Sequence, residues 1–152
     1  MKLVHAACVA FGLFGAMAAS ATPDDLHSIS GMQQHYRVLI VFTPSLADAR
    51  LASQRAIMAQ LAVEAAKRDL AFVQVDPITV LGASDKGDKL RRRFAVPVLR
   101  YHAILIDKDG RVLREAPGPM QGAAILRAID TAPTRRVEVA RARAGRPIAN
   151  RK

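Results

Sequence analysis

Ser45, Asp48 and His102 are the residues whose types could combine into chemistry: a hydroxyl, a carboxylate and an imidazole, the parts of a hydrolytic triad. Asp48 and Asp76, each at the expected end of a strand, form a second set that could act as acid and base. Neither set has supporting spacing. No G-x-S-x-G elbow surrounds Ser45. Asp48 stands where it would open a helix, and Asp76 precedes Pro77 as a turn residue does. His27, His35 and His102 have no metal-like spacing to one another, so neither a metal nor a cofactor is expected. An enzyme with an unrecognised site near Asp48 and His102 stays open as an alternative, and its activity would titrate near neutral pH.

Thiol chemistry is excluded by position. Cys8 is the single cysteine, and it lies in a segment with the marks of a signal peptide: Lys2, the apolar run Val9 to Ala18, and an A-x-A site at Ala19-Ser20-Ala21. Cleavage after residue 21 would export the chain, to a periplasm or the medium, without a thiol for redox or peroxidase work. An uncleaved anchor is the alternative, because Leu3 to Ala21 is nearly long enough to span a bilayer.

The elements that must position these residues follow from hydrophobic pattern. The 152 residues, 51% of them hydrophobic, suffice for one domain with a real core. Residues 22–35 are polar and read as a flexible lead-in. Val38 to Phe42 is apolar without alternation, which predicts a central strand covered on both faces. Pro44 ends it, and Ser45 with Asp48 resembles a capping box. From there to about Lys67, Leu51, Met58, Leu61, Ala62 and Ala65 fall on one helical stripe. Leu70 to Val75 predicts a second strand, Ile78 to Gly87 a loop, and Asp88 to Phe94 a short helix with Leu90 and Phe94 inward. The turn former Asp107-Lys108-Asp109-Gly110 lies between two apolar runs and predicts an antiparallel hairpin. After Pro117-Gly118-Pro119 a last core helix is expected over Met120 to Ile129. Beyond Pro133, a basic helix with little apolar surface should fray.

Charge is concentrated at the C-terminal end. Residues 22–130 hold 15 Lys and Arg against 12 Asp and Glu, whereas residues 131–152 hold seven against Glu138 alone. The arginines Arg91, Arg92, Arg93, Arg100, Arg135 and Arg136 are the candidate anion-binding residues. A basic tail on an exported chain would meet an anionic envelope component or lipid headgroups. The low aromatic content, 5% with no tryptophan, argues against a stacking platform for nucleic acid. A membrane would be met only through an uncleaved N-terminus or the basic tail.

The order β-α-β, α, β-β, α resembles the thioredoxin superfamily in skeleton. The resemblance is closer to the domain-of-unknown-function 4174 family, also found in sushi-repeat and coiled-coil-domain extracellular proteins. It is carried by RVLIVFTPS with Asp48, Leu51 and Gln54; Arg68-Asp69-Leu70; Leu90-Arg91-Arg92 with Phe94; HAILIDKDGRV; and Ile129-Asp130 with Pro133, Arg135, Arg136 and Glu138. It implies an α/β, thioredoxin-like fold with a central mixed sheet. Where a thioredoxin carries its CxxC, this chain has Leu46 to Arg50, and His102 stands in the place of the superfamily's cis-proline. What the resemblance leaves is a groove between the Pro44 loop and the segment before the hairpin, with Thr43, Pro44, Ser45, Asp48 and His102 as its candidate residues. The reading is therefore a signal peptide over residues 1–21, a domain over 36–131 and a basic extension over 132–152. Its expected role is a non-catalytic binding or accessory module with an unknown protein or anionic partner. A structural envelope protein docked by its tail is a further alternative.

Overall fold

A computed structural model describes residues 27–145; the segment read as a signal peptide lies outside them, as do residues 22–26 and 146–152. The central strand β1, Arg37–Phe42, is buried at every position, as an unalternating apolar run requires. It pairs in parallel with β2, Leu70–Val75, and antiparallel with β4, His102–Ile106. A two-residue strand β3, Val80–Leu81, borders β2, and β5, Val112–Ala116, borders β4. The sheet order is β3-β2-β1-β4-β5, mixed and five-stranded. The chain is thus an α/β domain, with one layer of helices on each face of the sheet.

One face holds α2, Ala49–Gln60, α3, Ala62–Ala66, and α5, Gly122–Thr131, which cover Leu39, Val41, Ala103 and Leu105. The other holds α1, Ile29–Met32, and α4, Gly87–Arg93, over Val38, Ile40, Phe42, Ile104 and Ile106. Alternate residues of β1 and β4 feed the two cores, as the pleat requires. The β4–β5 hairpin turns at Gly110, whose φ of +85° suits glycine, and whose added Cβ would stand 2.7 Å from the Gln33 amide nitrogen.

Several expectations are corrected here. The flexible lead-in contains α1, with Ile29 and Met32 inside the core. Ser28 caps it by accepting from the Gly31 N–H, and Asp85 accepts from the Ile29 N–H at 2.7 Å. The single helix expected to Lys67 breaks at Leu61, leaving Ala62 exposed. Its N-cap is Asp48, not Ser45, whose hydroxyl accepts from the Ala47 N–H instead. The loop over 78–87 includes β3.

The basic segment after Pro133 is a formed helix, α6, Pro133–Ala144, rather than a frayed tail. Charge docks it, since none of its residues is buried. Arg37 is fully buried and donates to Glu138 through both terminal nitrogens, at 3.3 and 3.1 Å. It also donates to Thr134 and to the Arg68 carbonyl. Lys108 and Arg135 complete the ring around Glu138 at 3.0 and 3.1 Å. Asp107, itself buried, accepts from the Thr134 hydroxyl at 2.6 Å and lies 2.9 Å from Arg37 Nε, an ion pair by distance whose N–H is not aimed at the oxygen. Burial alone would raise the Glu138 pKa, but the hydrogen bonds from Arg37, Lys108 and Arg135 outweigh it and hold the carboxyl at about 2. The domain therefore runs past residue 131.

Candidate functional site

The residues singled out in the sequence do not converge. His102 pairs with Phe42 and shares its face, the one covered by α1 and α4, and its Nε2 lies 3.0 Å from Glu115. Asp48 caps α2 on the opposite face. It accepts from the Arg50 N–H at 2.8 Å and from the Arg50 guanidinium at 3.0 and 2.6 Å. That guanidinium holds the Asp48 carboxyl below its usual pKa. The sheet separates imidazole from carboxylate, and each is held by another group. Asp76 accepts from the Ile78 and Thr79 N–H groups, which fixes a turn. Ser45 is exposed, and its carbonyl accepts from the buried Thr43 hydroxyl at 2.8 Å, so the Thr43-Pro44-Ser45 link is a tight local turn. Among the described residues no cluster of three or more His, Cys, Asp or Glu could hold a metal.

Arg91 requires the largest correction. Expected among the anion-binding residues, it is only 6% exposed. Its guanidinium donates to the carbonyls of Pro97 at 3.0 Å, Thr43 at 3.0 Å and Val75 at 3.1 Å. It lies 5.4 Å from the Phe42 ring centroid. Desolvation lowers its pKa, with Asp76 opposing. Arg91 thus gathers the ends of β1 and β2 and the loop after α4, while Arg92 pairs with Asp88 on the surface and Arg93 reaches Ser30. That loop begins with a left-handed residue, Ala95 at φ +53°, flanked by hydrogen bonds from Ala95 to Arg92 and from Val96 to Arg91. This is the Schellman ending, with alanine where glycine is usual.

The loop opens a groove at the C-terminal end of β1. Arg50, Pro97, Leu99, Arg100, Tyr101 and Pro117 line about 470 Å³. Tyr101 forms its buried floor, with Arg50 stacked 4.9 Å from the ring centroid. Burial pushes the Tyr101 phenol up to about 12, helped by Asp48 and opposed by Arg50. The Pro117 wall is fixed by buried Gln54, whose amide donates to the Met120 carbonyl at 3.1 Å and accepts from the Met120 N–H at 2.6 Å. The loop side is apolar: Leu99 in the lining is 77% exposed and the adjacent Val98 52%. Arg100 is exposed and has no ion pair among the described residues. Of the expected groove residues, Asp48 borders this site through Arg50, whereas His102 faces away. Leu99 and Arg50 were missed, although an apolar pair between Pro97 and Arg100, with no helical or strand period, marks an exposed apolar loop. Arg135 and Arg136 lie at the other end of the molecule, on α6.

The fold and site define an α/β domain with a thiol-free groove at the C-terminal end of its central strand. The family model described as Domain of unknown function (DUF4174) matches residues 28–138, from the cap of α1 to the carboxylate that docks α6, and the chain belongs to that family. No curated protein matches the chain, and neither does any solved structure.

Proposed function

We propose that this is an exported, thioredoxin-like domain that works by binding rather than by catalysis, with the Arg50–Arg100–Tyr101 groove receiving a segment of a partner protein that carries an acidic group beside an apolar one. One observation carries the reading. At the strand end where open α/β sheets commonly bind ligands, the exposed apolar pair Val98 and Leu99 directly precedes an uncommitted arginine, Arg100, and Leu99 and Arg100 both line the groove. Leu99 and Val98 suit an apolar anchor, and Arg100 suits a carboxylate. The commitment of Asp48 to Arg50, and the turn of His102 to the opposite face, favour a binding role over the alternative of an enzyme at those residues.

Selection from a displayed library of random peptides tests this. Bound sequences should be enriched in Asp or Glu next to Leu, Ile or Phe, and Leu99→Asp and Arg100→Glu should each abolish recovery without lowering the melting temperature. A library that yields no enrichment, or binders indifferent to both substitutions, would sink the proposal.

A further inference from the structure

A second site lies at the far end of the sheet. Where the end of α5 meets α6, Arg68, Asp130, Arg135, Arg136, Val139 and Arg143 border a cleft of about 470 Å³. Arg136, Val139, Ala140 and Arg143 follow the i, i+3, i+4, i+7 spacing, so one face of α6 presents an arginine at each end and two apolar residues between. The arginines are two turns apart, roughly 10 Å. Opposite them, Arg68 donates to Asp130 at 2.9 and 2.8 Å, so the carboxylate in the cleft is already neutralised. Arg135 is committed to Glu138, and its buried Nε lies 4.0 Å from Asp130. Arg136 and Arg143 are exposed and make no ion pair among the described residues. The cleft therefore offers two free guanidinium forks beside an apolar floor.

We infer that this cleft binds the phosphodiester headgroup of an anionic phospholipid and seats the domain on a membrane surface. Guanidinium forks match phosphate oxygens, and the Val139–Ala140 floor suits the glycerol and first methylenes behind them. The cleft has no aromatic side chain on which nucleic-acid bases could stack. Because the site is remote from the Leu99 groove, the inference stands whether or not the peptide reading does.

The test is co-sedimentation of the full chain with phosphatidylglycerol–phosphatidylcholine vesicles and with phosphatidylcholine alone, at low and high salt. Deleting residues 132–152 would strip Glu138 from Arg37, so exposed side chains are replaced instead. Binding is expected only with phosphatidylglycerol and should weaken with salt. Arg136→Gln and Arg143→Gln should each weaken it about fivefold, and together roughly thirtyfold. A control that removes the same charge elsewhere, Lys86→Gln with Lys89→Gln, should have a much smaller effect, and none of these changes should alter peptide recovery through the Leu99 groove. Equal binding to both vesicle types, or equal losses from the two double variants, overturns the site. Complete displacement by inorganic phosphate at matched ionic strength would make it a free-phosphate site and overturn the lipid assignment.

Discussion

Replacing Glu138 by Gln should destabilise the whole domain, although the residue lies on a helix with nothing buried. Arg37 is fully buried, and Glu138 is one of its two acidic partners; the other, Asp107, is poorly aligned with it. Breaking a buried pair by removing one partner typically costs about 3–5 kcal/mol. Asp107 remains and Glu138 is partly open to solvent, so about 2–3 kcal/mol is the expected loss at neutral pH, after discounting for screening. That corresponds to a fall in melting temperature of roughly 6–15 °C for a domain of this size. The pH dependence has a definite sign. The folded-state pKa of about 2 lies below the ordinary 4.5, so the stabilisation is complete above 4.5 and drains away as pH falls toward 2. Urea unfolding of both proteins at pH 7 and pH 3 measures this, and the gap between them should narrow at pH 3. A neutral-pH difference below about 0.5 kcal/mol, the range of ordinary surface changes, or a gap independent of pH, would refute the account of α6 docking.

Gln54→Ala should cost about 2–4 kcal/mol in urea unfolding, because it leaves the Met120 N–H and carbonyl without their buried partners. Two of the left-handed positions, Gly82 and Ala95, should respond in opposite directions. Gly82→Ala would bring a Cβ to 2.5 Å from the Phe72 carbonyl at φ +88°, lowering stability by more than about 1 kcal/mol. Ala95→Gly relieves a left-handed alanine and should raise the melting temperature by a few degrees, by about 0.5 kcal/mol. Tyr101 should stay protonated to about pH 12, so ultraviolet titration should show a late tyrosinate. Since its folded pKa is raised above 10.0, its contribution to stability is complete below pH 10 and is lost between pH 10 and 12.

The local patterns were legible in the sequence. The apolar run of β1, the bounds of β2 and the Asp107–Gly110 turn needed only composition and spacing, because burial on both faces and a positive φ leave marks on neighbouring residues. The missed features depend on distant partners. Nothing within the run Arg91-Arg92-Arg93 says which arginine turns inward; that is decided by carbonyls at Thr43, Val75 and Pro97. The tail looked too polar to dock because docking was sought in apolar surface, whereas Arg37 waits 101 residues upstream of Glu138. For α1, Ser28 followed by Ile29 and Met32 at i, i+3 was a usable cap-and-stripe signal, too short to register in a longer window. The candidate catalytic set failed for a similar reason. Strand parity placed His102 beside Phe42, and that parity becomes visible only once the register of β1 against β4 is fixed.

The Arg37 ring also bears on how such a chain can change through descent. Arg37 on β1, Asp107 in the turn after β4, and Thr134 and Glu138 on α6 share one largely desolvated ionic balance, so losing any one leaves the others under-compensated. Exchange for an apolar set is open only to several positions together. Across related sequences these four positions are expected to be inherited as a block, drifting jointly or not at all, while exposed Arg141 and Arg143 on the same helix vary with whatever surface each relative meets.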